Sequence, residues 1–444
     1  MDLRRWNASV HVRRTVSSLG SFPTRVVTWG LWIGVAIVTG VFHGDVVAAG
    51  EVRVGVAREE LILPKAVPLA GYSRRGGKPS RGVHDPVSVR ALVMQDGSTS
   101  AALVSCDLLI IDEHLFDAVR QQLITRGVSK GLTLILAATH THSGPGGYGT
   151  KFFEKLSMGH FDPAIFEAIV SGVTQAIIRA QAQSVPVRVA YATATTEGLI
   201  VNRMDRAGVV NPELVISAFY PLTDESPLAV LINFAAHPTT LGAWNRQLSA
   251  DYPGVAVREV ERQFPTTTCL FFAGAVGDQA PTKHGPGFES ANRIGHTLAQ
   301  QVVARLKDAH PDRVDSLKAL QEQLSLPPAQ IRVGPVTLPR WLGARLADDD
   351  ATLSVVAVGR LLFIGVPCDL TAEFGAVLER SARTRGAQPM IIGFASDYIG
   401  YCVPEALYRS KRYESSMAFN GPRAGALIVE RLIRMVDEVV TRPK

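Results

Sequence analysis

The sequence predicts an α/β fold, in which mixed sheets carry flanking helices and a metal site lies at the C-terminal ends of the strands. Three observations support this prediction: short apolar runs recur along the chain, amphipathic helical stretches lie between several of them, and four of the runs finish in a potential metal ligand. The 444 residues are 46% hydrophobic and 19% charged, which is typical of a globular chain with a sizeable core.

Nine of the apolar runs predict buried strands, because they are short and rich in β-branched residues. In chain order they are EVRVGVA, VSVRALVM, AALVSCDLLII, LTLILAA, VRVAYATATT, LAVLINFAA, CLFFAGAV, LSVVAVGRLLFIGV and MIIGFA. No repeat of fixed period and no low-complexity linker interrupts them.

Three stretches predict amphipathic helices with recognisable starts. DEHLFDAVRQQLITRG opens with Asp112 as an N-cap, PAIFEAIVSGVTQAIIRAQAQ follows Asp162 and Pro163, and GPRAGALIVERLIRMVDEVV closes the fold. The alternation of strands and helices predicts one α/β catalytic unit over residues 50–444, with an internal lobe boundary near 310–350, where the sequence is looser.

The first 49 residues differ in composition from the rest of the chain. Five arginines precede an uncharged apolar stretch at residues 26–42, as in an export signal, and the small residues Val47 and Ala49 predict cleavage before Gly50. The stretch is also just long enough to be a short membrane anchor. We therefore expect residues 1–49 to be a signal peptide or an N-terminal membrane anchor, and the protein to be periplasmic, secreted or anchored through residues 26–42.

The charge pattern argues against a nucleic-acid partner. Without the first 49 residues the formal charge falls from +6 to +3, and the remaining 41 basic and 38 acidic residues form no basic run. The four cysteines are widely spaced and contain no CxxC pair, which excludes a cysteine zinc module and a disulfide-dense scaffold. Cys368 and Cys402 are expected either to pair in an exported protein or to be buried thiols in strands.

Potential metal ligands stand at the ends of four apolar runs. LTLILAATH ends in His140, LAVLINFAAH in His237 and LLFIGVPCD in Asp369, while MIIGFASDYIGY runs to Tyr401. Since loops at the carboxyl ends of strands share one edge of a sheet, residues far apart in sequence converge there. Two imidazoles and one carboxylate are the protein half of a catalytic zinc site, in which Tyr401 would be an unusual fourth ligand.

His140 and His142 are separated by one residue. In an extended segment their side chains point the same way, so that one can be a ligand and the other an acid/base partner. The SGPGG that follows supplies a tight turn and lets a substrate approach the backbone closely. A lone histidine at such a place is more often a structural residue, but the whole constellation is typical of a metal hydrolase and says little about its substrate.

Several motifs, in order along the chain, resemble those of the neutral (non-lysosomal) ceramidases. THTHSGPGGY at 139–148 is similar to the hallmark of that family, and PLAGYSRRGGKPSRGVHDPVSVRALVM to its N-terminal strand region. INFAAHPTTL resembles the second histidine motif, and GDQAP, GVPCDLTAEF and YIGYCVPEALYRSKRYESS follow in the order found in the family. The resemblance covers most of the chain after residue 49 and implies a ceramidase-like catalytic domain.

The resemblance implies one catalytic Zn²⁺ ion held by His140, His237, Asp369 and Tyr401. The family has Glu where this chain has Asp369, a shorter acid that keeps the charge. The implied reaction is hydrolysis of the N-acyl amide bond of ceramide or a related N-acyl lipid by a zinc-bound hydroxide, because zinc lowers the pKa of a bound water to about 7.

Three more residues, His142, Arg203 and Tyr413, match family positions that bind and polarise the scissile amide. Arg203 and Tyr413 are expected to stabilise the oxyanion, and His142 to pass a proton to the leaving amine. The serine of the family's GDxSP motif is Ala280 here, which excludes a covalent acyl-serine route through that position, and Ser143 is expected to be a turn residue.

Two alternatives to a ceramidase stay open. The last predicted helix ends near Val440, where typical ceramidases continue into a C-terminal immunoglobulin-like domain. The same core is therefore also consistent with an amidase or esterase that acts on a non-sphingolipid substrate. Asp369 and Ala280 leave a second alternative, a non-catalytic metal- or lipid-binding relative. The expected partner is a lipid-like N-acyl amide, with peripheral or anchored membrane contact and no nucleic acid.

Overall fold

The computed structural model describes residues 51–64, 66–333, 336–339, 343, 346–410 and 412–440. The predicted signal peptide or anchor, residues 1–49, lies outside the described residues and stays a prediction. The strands are β1 (Arg53–Glu60), β2 (Gly82–Val83), β3 (Ser88–Gln95), β4 (Ser100–Cys106), β5 (Thr133–Ala138), β6 (Val185–Thr195), β7 (Ile200–Asn202), β8 (Glu213–Pro221), β9 (Ala229–Phe234), β10 (Gln247–Leu248), β11 (Thr268–Ala273), β12 (Gln279–Pro281), β13 (Asp312–Arg313), β14 (Leu317–Ser325), β15 (Arg332–Val333), β16 (Val336–Thr337), β17 (Asp350–Val358), β18 (Leu361–Gly365), β19 (Asp369–Leu370), β20 (Gln388–Ile392) and β21 (Tyr401–Cys402). The helices are α1 (Glu113–Thr125), α2 (Phe152–Met158), α3 (Pro163–Ala182), α4 (Asp251–Gln263), α5 (Phe288–Lys307), α6 (Ala372–Arg383), α7 (Glu405–Tyr408), α8 (Tyr413–Ser416) and α9 (Ala424–Val439), with a 3₁₀ turn at Ser73–Arg75.

Two sheets packed face to face, with helices on both outer faces, give four layers. Because successive strand residues point to opposite faces, β11 sends Leu270 and Phe272 into the core between the sheets and Phe271 into the core under the helices. The helices α1, α3, α4 and α5 cover the outer face of the larger sheet, and α6 and α9 cover that of the smaller one. The predicted α/β class with mixed sheets and flanking helices is confirmed.

The larger sheet has the strand order β11-β9-β8-β6-β1-β3-β4-β5, with β13 added alongside β6. Its two ends are parallel pairs, β9 with β11 and β4 with β5, and the pairs between them are antiparallel. The smaller sheet has the order β14-β17-β18-β20, in which only β18 and β20 are parallel. The parallel strands β5, β9, β18 and β20 are the apolar runs that precede the predicted ligands.

The predicted helix starts are present in the structure. The Asp112 carboxylate accepts a 2.9 Å hydrogen bond from the backbone N–H of Leu115 at the start of α1, and Asp162 caps α3, where Pro163 takes the first position. The long helix α3 packs directly on β1. The two elements are so close that a Cβ at Gly55 would lie only 1.9 Å from the carbonyl oxygen of Ala180. Glycine at this position therefore sets the distance between helix and sheet.

Some strand bounds differ from the prediction. LSVVAVGRLLFIGV forms two antiparallel strands, β17 and β18, because Gly359 turns the chain with a φ of +54°. Two of the longer strands, β8 and β14, were not predicted, nor were the strands of two or three residues. β14 is an edge strand with many polar, half-exposed residues, so it lacks the apolar pattern of its neighbours. The region predicted as a lobe boundary is where the chain leaves the larger sheet at β13 and enters the smaller one at β14.

No single helix of the described chain is long and apolar enough to cross a membrane. The consecutive helices α2 and α3 pass the length and hydropathy criteria only when taken together, and they meet at a bend of 92°.

Candidate metal centre and active site

The loop after β5 carries the first two histidines. His140 has a left-handed backbone with a φ of +64°, so the extended segment predicted from the sequence is not formed. The two imidazoles nevertheless converge, with 3.2 Å between the Nε2 atoms of His140 and His142. Phe394 stacks on the His140 ring with centroids 3.7 Å apart and fixes its plane.

The other predicted ligands reach the same point from three further segments of the chain. His237 follows β9, and the parallel pair β19–β21 places Asp369 directly beside Tyr401. The Oδ1 atom of Asp369 lies 3.2 Å from the Nε2 atom of His237 and 3.8 Å from that of His140. The Tyr401 hydroxyl lies 3.5 Å from the Nε2 atom of His237. The structure therefore brings together all four residues predicted to hold zinc.

Each of the three histidines is held through its Nδ1 atom. The Nδ1 atoms of His140, His237 and His142 lie 2.7, 2.7 and 3.1 Å from the carbonyl oxygens of Leu109, Val276 and Gly71. Because a carbonyl oxygen only accepts, Nδ1 carries the proton and each Nε2 lone pair faces the cluster. Backbone hydrogen bonds of this kind orient the histidine ligands of metal sites.

The electrostatics of the cluster favour a bound cation. Burial lowers the pKa of His140 to about 3 and holds the pKa values of His142 and His237 well below the ordinary value, so all three imidazoles are neutral. Burial raises the pKa of Asp369, whereas His140 and Arg203 lower it. The Oδ1 atom of Asp369 is buried without a hydrogen-bond partner, which is costly unless a cation compensates it.

These donors fit a divalent metal ion. The imidazoles of His140, His142 and His237 offer nitrogen atoms that all lie within 4.8 Å of one another, and the Asp369 carboxylate is adjacent. Nitrogen and oxygen donors in this combination are accepted by zinc and by several other divalent ions. His142, predicted as an acid/base partner, lies within this group, so the structure places it close enough to serve as a ligand as well.

Arg203 and Tyr413 lie on the other side of Tyr401. Arg203 directly follows β7, which pairs with β12 of the GDQAP segment, and its Nη2 atom donates to the Tyr401 hydroxyl at 2.8 Å and to the Gly277 carbonyl oxygen at 2.9 Å. The Tyr413 ring lies edge-on to that of Tyr401, with centroids 5.8 Å apart, and is 62% exposed. The three predicted catalytic residues therefore border the same cluster as the predicted ligands.

Sequence reasoning missed three supporting residues. The Tyr398 hydroxyl donates a 2.8 Å hydrogen bond to Oδ2 of Asp369, and Glu414 forms an ion pair with Arg203 at 2.9 Å. Arg75 is buried and bonds the backbone around His142. Glu414 directly follows Tyr413, and Tyr398 stands three residues before Tyr401, which was the available signal, whereas nothing local marks Arg75.

A cavity of about 670 Å³ opens onto the cluster, within the size range of small-molecule sites. Its wall includes His140, Asp369 and the apolar side chains of Leu109, Phe153 and Phe419. The pocket can therefore hold an apolar group beside the predicted metal site.

Four further residues singled out from the sequence, namely Ala280, Ser143, Cys368 and Cys402, show no catalytic arrangement in the structure. Ala280 lines the cavity without a nucleophilic atom. The Ser143 hydroxyl is buried and accepts a 2.9 Å hydrogen bond from Asn245 Nδ2. Cys368 and Cys402 are buried free thiols, which answers the alternative that the sequence left open.

Comparisons with known proteins agree with this architecture. A family model described as neutral/alkaline non-lysosomal ceramidase, N-terminal, matches residues 53–310. The chain is 23% identical to the neutral ceramidase of Mycobacterium tuberculosis, over 80% of this chain and 71% of that protein. It is 31% identical to the neutral ceramidase of Pseudomonas aeruginosa over 46% of this chain, and there it spans about a third (32%) of the relative.

Solved structures show the same fold. The crystal structure of neutral ceramidase from Pseudomonas aeruginosa superposes with a TM-score of 0.77 at 20% identity, covering 89% of this chain and 76% of that chain. A structure described as ceramidase complexed with C2 gives the same values. The structural likeness thus extends beyond residue 310, into the part that carries Asp369, Tyr401 and Tyr413.

Proposed function

Since the chain belongs to the neutral/alkaline non-lysosomal ceramidase family, a family of hydrolases, we propose that it is a zinc-dependent hydrolase that cleaves the N-acyl amide bond of ceramide or a related N-acyl lipid. The observation that carries this proposal is the convergence of His140, His237, Asp369 and Tyr401 around an unpartnered carboxylate oxygen, at the wall of a partly apolar cavity.

A zinc ion held by these four residues would supply an activated water molecule, because it lowers the pKa of water to about 7. Residues of the chain would bind the scissile carbonyl group and stabilise the charge that develops on it. Arg203 is fixed by Glu414 and by the Gly277 carbonyl, so its guanidinium is already oriented when substrate arrives. Arg203 and the Tyr413 hydroxyl are the donors that would bind the carbonyl oxygen as negative charge develops on it, which is usually the largest catalytic contribution.

His142 is proposed to accept a proton at Nε2 from the attacking water and to pass it to the leaving nitrogen, since its own proton stays on Nδ1. Its Nδ1–H is held by the Gly71 carbonyl, which leaves Nε2 on the side of the cluster. An amine does not leave as an anion, so a positioned proton donor is required for amide cleavage. Because position 280 is alanine, no step of this proposal uses a covalent serine intermediate there.

The proposed location is outside the cytoplasm, either as a free exported protein or as one anchored through residues 26–42. This rests on the composition of residues 1–49, which resembles an export signal. An apolar cavity that opens at the protein surface is consistent with a lipid-like substrate taken up by peripheral membrane contact.

The test is metal content by mass spectrometry, paired with hydrolysis of a fluorogenic ceramide analogue, for wild type and His140→Ala. We expect one zinc ion per chain and ceramide hydrolysis in the wild type, and loss of both in the variant. His310→Ala, which removes an exposed histidine outside the cavity, is the control and should change neither. The absence of metal from the wild-type protein would overturn the proposal, while zinc without ceramide cleavage would move the activity to another amide or ester.

One observation favours that alternative substrate. The cavity wall carries the Lys151–Asp348 ion pair among its apolar residues, and charged side chains are poor neighbours for a long hydrocarbon chain. A panel of N-acyl amides with short and long acyl chains, assayed with and without detergent, separates the two: activity on soluble short-chain amides alone would contradict the ceramide assignment.

A further inference from the structure

The mouth of the cavity carries apolar side chains that face solvent. Leu156 is 54% exposed and Tyr413 is 62% exposed, and both line the cavity. Phe152, one turn before Leu156 on α2, is 60% exposed and packs against Phe153, whose ring stacks on Phe419 in the cavity wall. Clusters of exposed apolar side chains around a binding site mark contact surfaces.

Cationic side chains stand among them. Arg74 and Lys283 are exposed and line the cavity, and Lys155 is exposed on α2 next to Leu156. In the described part of the chain, none of the three has a carboxylate partner. The carboxylates that line the same cavity do not neutralise this surface; Glu154 and Asp369 are buried, and Asp348 is bonded to Lys151.

The two groups border the same cavity: α2 packs against the 3₁₀ turn that carries Arg74, and Lys283 and Tyr413 line the cavity with them. The backbone N–H of Gly71, just before that turn, donates a 3.1 Å hydrogen bond to the carbonyl oxygen of Ser157 at the end of α2. We call this surface the cavity rim. It consists of Arg74, Phe152, Lys155, Leu156, Lys283 and Tyr413.

We propose that the cavity rim docks onto a lipid bilayer that contains anionic lipids, so that an N-acyl lipid enters the cavity directly from the membrane. This inference rests on the proposed function. Apolar side chains beside basic ones lie favourably at the headgroup boundary, with the apolar groups inserted between lipids. Each Lys or Arg adds attraction to an anionic surface.

The charge of the rim also argues against a second copy of the chain as its occupant. A two-fold contact is self-complementary, so it would bring the same surface of both molecules together. Arg74, Lys155 and Lys283 would then face cations of the other copy with no exposed carboxylate of the cavity lining to offset them. An anionic lipid surface satisfies the same three cations.

The test places an environment-sensitive fluorophore on the Leu156→Cys variant of the full chain. All four native cysteines are buried, so labelling is specific for the new thiol. The labelled protein is titrated with phosphatidylcholine vesicles and with equimolar phosphatidylcholine–phosphatidylglycerol vesicles. We expect the emission to shift to the blue with the anionic vesicles, and the shift to weaken in salt, because the Debye length falls from about 8 Å at 0.15 M to about 3 Å at 1 M.

Two matched variants identify the cause of the shift. Adding Arg74→Gln, Lys155→Gln and Lys283→Gln should raise the vesicle concentration needed for half-maximal shift by roughly a hundredfold, since each cation contributes about fivefold. The control variant instead adds Arg126→Gln, Lys130→Gln and Lys307→Gln, which remove three exposed cations outside the cavity. It should need the same vesicle concentration for half-maximal shift as the labelled parent. A fluorophore on the Ile62→Cys variant, 89% exposed in the parent chain and also outside the cavity, should stay in water throughout.

The label reports contact and not turnover, so the two proposals fail separately. A label at position 156 that stays in water, while the protein hydrolyses dispersed substrate, would overturn the proposal that the cavity rim docks onto a bilayer. It would leave the proposed function intact. A shift that depends on protein concentration without vesicles would assign the rim to a second copy and equally overturn the inference. Docking of the labelled chain, together with no amide cleavage by the unlabelled wild-type chain, would contradict the proposed function alone.

Discussion

Arg75 Nη1 donates a 2.5 Å hydrogen bond to the main-chain carbonyl oxygen of His142, a residue 67 positions later in the chain. The same guanidinium bonds the carbonyl oxygens of Ala70 at 2.6 Å and Gly242 at 3.3 Å, and it is only 3% exposed. Burial lowers its pKa to about 10, and no carboxylate of the described chain forms an ion pair with it. The guanidinium also lies over the Tyr72 ring, 4.8 Å from its centroid. A buried cation without a carboxylate partner is costly, so the contact with the His142 carbonyl points to a role in placing His142.

We expect Arg75→Met to lower kcat about 10- to 100-fold while the free energy of unfolding changes by no more than about 2 kcal/mol. The apolar variant removes an expensive buried charge but releases the backbone of His142, and small misplacements of an acid/base group are costly in rate. Arg75→Lys should restore little activity, because one ammonium cannot serve three separated carbonyls. Steady-state kinetics measures kcat of both variants, and thermal unfolding measures their stability. An Arg75→Met protein with wild-type kcat would show that the contact is only structural.

The two possible roles of His142 predict different results for His142→Gln. If it carries the proton to the leaving amine, the variant keeps its metal and loses about 10²- to 10⁴-fold in kcat. This is the outcome we expect, because His140, His237, Asp369 and Tyr401 are the four ligands that we propose for the metal. Metal analysis beside the kinetics decides, and a metal-free variant would make His142 a ligand.

Tyr413→Phe should reduce kcat about 100- to 1000-fold with little change in KM, since in the role that we propose for Tyr413 its hydroxyl is a donor that acts only on developing charge. The ring is retained, so the edge-on contact with Tyr401 should persist. Tyr191→Phe on β6, outside the cavity, is the matched control. A parallel loss of substrate affinity and rate in both variants would contradict the proposed role of Tyr413.

Stability should depend on pH through Asp397. This side chain is 2% exposed and accepts one 2.7 Å hydrogen bond from the Tyr398 N–H, and burial raises its pKa to about 8, with further raising by Asp348. The folded state therefore holds the proton more tightly than the unfolded chain, whose carboxyl titrates near 4. The stabilisation is complete below about pH 4 and is lost as the pH rises through about 8.

Asp397→Asn, which cannot ionise, should flatten this dependence. One pKa unit corresponds to about 1.4 kcal/mol. We therefore expect the free energy of unfolding to fall between pH 5 and pH 8 by at least about 1 kcal/mol less in the variant than in the wild type. Urea unfolding at the two pH values measures the difference, with the exposed Asp224→Asn as control. Equal losses in wild type and Asp397→Asn would refute the assignment.

The elements that the sequence predicted are those with a local pattern. Buried strands such as β5 and β9 are continuous apolar runs, and His140 and His237 follow them directly, so both the strand and its ligand were recognisable. The half-exposed edge strand β14 has no such pattern. The left-handed backbone of His140 was not predictable, because it depends on packing against Phe394 and Leu109.

Supporting contacts were the least predictable part of the site. Arg75 and His142 meet only because the 3₁₀ turn and the loop after β5 pack together, and no local spacing relates them. The pairing of Arg203 with Glu414 likewise joins two distant segments. Such contacts follow from tertiary structure, whereas ligand positions follow from where strands end.

The position of the site between the two sheets has a consequence for biogenesis. His140 and His237 come from the larger sheet, but Asp369 and Tyr401 are synthesised well over a hundred residues after His237 and sit on the short pair β19–β21 beside the smaller sheet. Contacts of such long sequence separation form late in folding, after the loops between them have closed. An emerging chain therefore presents His140 and His237 before Asp369 exists, and tight capture of the proposed metal would wait until the last third of the protein has been made and packed.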